Sequence, residues 1–178
     1  MPLTLDATRV LTGIAGEVLV GPTSATFPTT AAEAPTGFIG LGYLSPDGVV
    51  PKNDRTTKDL TGWQYNAVVR VLVTDAKRTY EFTLWETTAV TIGFAYGTTV
   101  TQTITEGTYT IDPSATGGTK KFIIDVIDGD NAHREMFDGE LTTMEESGWK
   151  NGEAVAFKCT VTAYTKPDAM DTSLKSAV

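Results

Sequence analysis

The sequence has one cysteine, Cys159, and one histidine, His133, among its 178 residues. A lone cysteine excludes an internal disulfide framework and any zinc site built from several thiolates. It is expected to be a small buried hydrophobe on a strand. A single imidazole leaves little material for nucleophilic catalysis, and Ser45, Ser114 and Ser147 lack the glycine-flanked elbow that presents a hydrolase serine. An enzyme is therefore not expected, nor is a cofactor. No stretch approaches the roughly 20 apolar residues of a membrane-spanning helix. The opening run Met1-Pro2-Leu3-Thr4-Leu5-Asp6 has neither a basic region nor an apolar segment, so no secretory leader is expected. Bases are scarce as well: 14 against 22 acids, for a net charge of −8. A surface built to grip nucleic acid is not the expectation.

What is present favours strands. Hydrophobic residues make up 40%, and threonine and glycine are frequent, a combination that suits extended chain and turns. Short alternating segments recur: Gly16 to Gly21, Thr36 to Leu44, Val100 to Ile104, Thr108 to Ile111, Lys120 to Ile127, Glu140 to Met144, and the clearest, Glu153 to Thr165. One helix is expected over Thr87–Tyr96. Thr87 or Thr88 would cap it, Val90, Ile92 and Phe94 would face inward, and Gly97 would follow its end. Turn signals at short intervals without a βαβ pattern predict a mainly β fold, an antiparallel sandwich or open barrel with one short flanking helix. Residues 1–15 are expected to be an arm, 16–166 the β-domain, and 167–178 a trailing tail.

The charge is local. From Asp125 to Glu153 nine acids face two bases, Arg134 and Lys150, which accounts for −7 of the −8. Asp125, Asp128, Asp130, Glu135, Asp138, Glu140, Glu145 and Glu146 are thus candidates for an acidic surface, and a solvated loop is the plain reading of any one of them. Asp128-Gly129-Asp130-Asn131 resembles the start of a calcium loop, but His133 stands where that loop needs glycine and Gly139 where it needs glutamate. Only a weak cation site would fit there. His133 is expected to be exposed. Trp63, Trp85 and Trp149 offer a sugar platform, although core or interface anchoring is the commoner use of tryptophan.

The stretch from Gly40 to Glu86 is the organising one. Ser45-Pro46-Asp47-Gly48 spells a turn. A polar loop is then expected over residues 44–62, with Tyr43, Leu44, Lys52, Asp54, Arg55, Lys58 and Asp59 as its contact candidates. Trp63 to Val73 and Arg78 to Glu86 read as hairpin strands around an Asp75-Ala76-Lys77 turn. Arg70, a charge among valines, needs a partner, and Glu86 is the candidate across the hairpin.

Gly42-Tyr43-Leu44-Ser45-Pro46-Asp47-Gly48, then Trp63-Gln64, then Phe82-Thr83-Leu84-Trp85-Glu86-Thr87 entering a helix that ends Tyr96-Gly97, resembles the major tail protein (tail tube protein) of long-tailed phages (siphoviruses) infecting actinobacteria. The resemblance spans roughly residues 37–165. It implies a structural subunit of a virion, assembled in the host cytoplasm as hexameric rings that stack into a tube for genome ejection. It also implies a tape measure protein, a tail tip and a tail terminator as partners, DNA that passes without specific binding, and no membrane. On this reading residues 44–62 bridge to the next ring, and the acids line the lumen or coat the tube. Two other readings stand beside it: a non-catalytic sandwich that decorates a capsid or binds carbohydrate, and the tube protein of a contractile injection system.

Overall fold

The computed structural model describes residues 10–63, 65–148 and 150–172. Ten strands and one helix follow in the order β1 Ala15–Gly21, β2 Ile39–Gly40, β3 Leu44–Thr61, β4 Val68–Leu84, α1 Ala89–Tyr96, β5 Thr101–Gln102, β6 Gly107–Thr108, β7 Lys120–Asp128, β8 Asn131–Glu146, β9 Phe157–Ala163 and β10 Asp168–Asp171. All pairings are antiparallel. The main sheet runs β2-β1-β7-β8-β9-β4-β3, with β10 also on β8, while β5 and β6 form a separate small pair. The fold is thus mainly β and antiparallel with one helix, as the alternation predicts.

The sheet comes back to its own beginning. β2 is bonded to β1 and β3 to β4, yet only residues 41–43 separate β2 from β3. Within that link the Leu41 N–H donates to the Val18 carbonyl, and the Tyr43 carbonyl accepts from the Trp85 N–H. One continuous segment therefore bonds both ends of the strand order and closes it as a barrel. Closure matters because it hides backbone edges that would otherwise recruit other chains.

Side-chain alternation then divides the residues between two faces. Tyr80, Phe82 and Leu84 lie opposite Val161, Cys159 and Phe157, and Phe122 lies opposite Phe137. With Val18, Leu41 and Ile124 they form the main core, onto which Ile92, Phe94 and Tyr96 of α1 pack. The Phe122 ring stacks on Phe137 and meets Phe94 edge-on. Each such buried side chain contributes about 1.5–3 kcal/mol. The other face carries a smaller cluster of Leu19, Ile123 and Met136, covered by Phe27, Phe38 and Met170. Residues 22–38 are thus a strap across the chain's own sheet.

The helix begins as its sequence predicts. The Thr88 hydroxyl accepts from the Thr91 N–H, the Thr91 hydroxyl accepts from the Thr88 N–H, and Gly97 ends the helix with φ 62°. Packing, not propensity, holds this Thr- and Gly-bearing segment. Val90 faces outward more than expected, at 37% exposure.

Other expectations need correction. Residues 44–62 are not a loop. They are almost wholly the strand β3, in register with β4 from Val49↔Phe82 to Thr61↔Val68. Asp75-Ala76-Lys77 is not a turn but the middle of β4, opposite Thr56, Arg55 and Asp54. The polar side chains that suggest a loop are tolerated because neither face of this stretch is buried. The true reversal lies at 62–67, where the Gly62 N–H donates to the Ala67 carbonyl and Tyr65 and Asn66 adopt positive φ. Trp63 stands in that turn rather than starting a strand. The Ser45-Pro46-Asp47-Gly48 signal marks a bulge: Leu44 opposes Leu84 and Val49 opposes Phe82, so four residues, three of them extra, face a single Thr83. Of the tail beginning at residue 167, Asp168–Asp171 is strand β10, paired with His133–Met136 of β8. Of the expected arm, residues 1–9 lie outside the described residues, while Thr12 is tied to Asp128 and Ala15 opens β1.

Candidate assembly surfaces

Three features distinguish the described surface. The first is an arm. β4 leaves the barrel after its last pair with β9, Arg78↔Ala163. Beyond it Val68–Lys77 and Asp54–Thr61 pair only with each other, and every residue in both runs is exposed. At about 3.3 Å per residue the arm projects roughly 30 Å. Pairing puts Val71 and Val73 on one side, opposite Asp59 and Thr57, and Arg70 and Leu72 on the other, opposite Leu60 and Lys58, while a register shift at Leu60/Thr61 sets Val68 opposite Thr61. Val68, Val69, Val71 and Val73 are 55–69% exposed, and Trp63 and Tyr65 at the tip are 97% and 100% exposed. Contiguous exposed apolar surface on a free double-edged hairpin is what a chain presents to a partner. Lys52, Asp54, Arg55, Lys58 and Asp59 all lie on β3, with the last four on the arm. Tyr43 is 76% exposed, but Leu44 pairs with Leu84 and packs against the core, so it is not a free contact residue.

The second feature is a polar network at the root of the arm. Arg78 donates through Nη2 to both Glu135 carboxylate oxygens at 2.6 Å, through Nε to the Tyr80 hydroxyl at 2.7 Å and through Nη1 to Asn53 Oδ1 at 3.0 Å. The Tyr80 hydroxyl donates to Glu135 in a short hydrogen bond. His133 lies 3.3 Å from both Glu135 and Asp171. Burial would raise the Glu135 carboxyl, but Tyr80, Arg78 and His133 outweigh it and hold the group below its ordinary range. Burial, and then donation to Glu135, push the Tyr80 phenol well up. These side chains tie β4 to β8 and to β10. His133 is therefore a half-buried strand residue rather than an exposed loop one.

The third feature lies under the strap. Arg134 grips Asp125 through Nε and Nη2, both at 2.7 Å, and through Nη1 donates to the carbonyls of Thr30 and Glu33. Both side chains are 6% exposed. The hydrogen bonds it donates to Asp125 raise the Arg134 guanidinium further.

The eight candidate acids therefore do not form one field. Asp125 is buried with Arg134, and Glu135 is in the root network. Asp128 accepts from Thr12, Glu140 from Tyr164, and Glu146 from Tyr96, while Glu145 faces Lys158 at 3.7 Å. Among the described residues the carboxylates of Asp130 and Asp138 carry no such bond. The stretch is the β7–β8 hairpin, not a loop, so alternation sends its acids to opposite faces. Asp128 and Asn131 close its two-residue turn, and among the described residues no group of three or more His, Cys, Asp or Glu side chains is placed to hold a metal. Arg70 and Glu86 do not pair either. Arg70 lies near the start of β4 and Glu86 two residues past its end, about 50 Å apart along an extended chain. Glu86 instead accepts from the Tyr43 N–H at 3.0 Å and fills the space beside Gly42. Trp63 and Trp85 are separated by the same length of strand, so they form no common platform; Trp149 lies outside the described residues.

A closed β-barrel that buries its own edges, yet sends out an apolar two-stranded arm that none of the described residues covers, defines a subunit built for assembly. The profile of the phage tail tube protein family matches residues 3–174. The chain belongs to that family, and its role is that of a structural tail tube subunit. No curated protein matches it. Among solved structures it is similar to the tail of an empty gene transfer agent particle refined with C6 symmetry, at TM-score 0.46 and 10% identity over 93% of this chain and 98% of that one. It is also similar to a chain in the virion of a native gene transfer agent particle, at TM-score 0.44 and 10% identity over 75% and 88%. The SPP1 tail tube gives TM-score 0.46 and 10% identity over 94% and 87%.

Proposed function

We propose that the chain forms hexameric rings that stack into the tube of a siphovirus tail, and that the β3–β4 arm is the bridge between subunits. The observation that carries this reading is the arm itself, eight residue pairs long with every residue of its two strands exposed. An isolated two-stranded ribbon is marginal in water, so its valines and aromatic tip call for a cover from another copy. Such a contact joins two different surfaces of the same chain, and contacts of that kind close into rings or run on as filaments.

The tube would carry DNA during ejection without binding it specifically, and would meet a tape measure protein, a tip complex and a terminator. Family membership supports these partners. The ordered residues from Gly42 to Thr87 support an actinobacterial host, with assembly in its cytoplasm. Since Asp125 and Glu135 are committed within the subunit, any acidic lumen would fall to the exposed remainder, Asp130 and Glu145 among them. Such charges would repel DNA phosphates. Negative-stain microscopy of the purified protein tests the reading: rings or hollow tubes are expected, and a protein that stays monomeric at every concentration overturns it.

A further inference from the structure

Resting on the tube reading above, we propose that the tip of the β3–β4 arm docks into a specific groove on a neighbouring copy, the one beneath the Ser45–Gly48 bulge. The groove has a volume of about 970 Å³ and lies between the start of β1, the bulge and Glu86.

Its walls suit an incoming aromatic turn. Gly13, Gly16, Gly40 and Gly48 contribute no side chains, so backbone can approach closely. A Cβ at Gly40 or Gly48 would meet nothing within 4 Å. Ile14 and Tyr43 at its rim are 75% and 76% exposed, which supplies apolar surface. Ser45 in its wall is 8% exposed, and its hydroxyl has no hydrogen-bond partner among the described residues. Buried hydroxyls are normally satisfied, so the bulge is a polar surface that this chain alone leaves incomplete.

The charges are complementary. Glu17, Asp47 and Glu86 line the groove, with no lysine or arginine among the lining residues, while the Asp125 carboxylate behind it is already paired with Arg134. Next to the arm's turn, Lys58 and Arg70 share one face with Leu60 and Leu72, because Lys58 opposes Leu72 and Leu60 opposes Arg70. Asp59 belongs to the opposite face. A basic, apolar face capped by Trp63 and Tyr65 thus matches an acidic groove with an apolar rim. The tip cannot reach its own groove. Ser45 opposes the root of β4, and about 50 Å of extended strand separates that root from the turn. The occupant must be a second copy.

The test places the photoreactive residue p-benzoylphenylalanine at position 65, which is fully exposed and tolerates the change. Tubes of this protein are irradiated, digested and mapped by mass spectrometry. Adducts on peptides holding residues 13–17 or 40–49 of another copy support the proposal; tubes whose adducts all map elsewhere, or that give none, overturn it while leaving the tube reading intact. Gly40→Trp provides a second measurement, since it fills the groove without meeting the fold. Tube formation is expected to fall more than tenfold with an unchanged melting temperature, and normal tubes from this variant overturn the proposal. If the unaltered protein forms no tubes, the tube reading fails and the docking falls with it.

Discussion

Arg134 holds Asp125 with two hydrogen bonds of 2.7 Å on the strap-covered face of the sheet, and uses its remaining amino group to hold the strap's own carbonyls. Both ions are nearly dry. Removing one partner of such a pair strands the other charge and costs about 3–5 kcal/mol. Asp125→Ala should therefore destabilise the fold by that order in urea denaturation and loosen residues 22–38 to proteolysis. Replacing both residues with apolar ones should cost much less than the Asp125→Ala change alone.

Glu135 makes stability depend on acid. Its carboxyl is held below its ordinary value of 4.5. A depressed carboxyl stabilises the fold fully above its unfolded value, and the contribution is lost as pH falls below about 4.5 through the folded value. Denaturation midpoints recorded from pH 6 down to pH 3 should drop in the unaltered protein. In Glu135→Gln the drop should be shallower, from a lower starting point.

Gly42 has φ 80°, and a Cβ there would lie 2.5 Å from the Glu86 carboxyl group. Gly42→Ala should cost about 1–3 kcal/mol, from backbone strain together with displacement of Glu86. Adding Glu86→Ala relieves the collision but not the strain, so the double variant should recover only part of the loss in thermal unfolding.

The arm is dispensable for folding. Replacing residues 54–77 with a two-residue Asn-Gly turn between Asn53 and Arg78 should leave a domain whose melting temperature moves by only a few degrees, because the strand residues removed, 54–61 and 68–77, are all exposed. Microscopy of this variant should find no tubes. Both strands must go together, since deleting Lys52 to Asp59 alone would strip β4 of its partner.

Most of the barrel could be read from alternation. Phe122, Ile124 and Val126 on β7, and Tyr80, Phe82 and Leu84 on β4, announce a buried face, and Thr88 and Gly97 announce the helix ends. Failure came where alternation carries no burial signal. Lys52 to Thr61 looks like a loop because a strand exposed on both faces has no reason to alternate. His133 to Asp138 looks like a solvated acidic run because the partners of its acids, Arg78 and Tyr80, lie more than fifty residues away. The register of those strands, not their composition, decides which charges meet. Gly40 to Glu86 is recognisable as an organising stretch, but the segments that read as its loop and its turn are both strand, and the reversal falls between them at 62–67.

The arm is also a lever. A ribbon roughly 30 Å long converts a rotation of about 5° at its base into a displacement of about 2.6 Å at its end. The base is where Arg78, Tyr80 and Glu135 lock β4 to β8. Small shifts in that lock are therefore magnified by the time they reach Trp63 and Tyr65. The aim of the whole projection is thus set by a few polar atoms far from anything it touches.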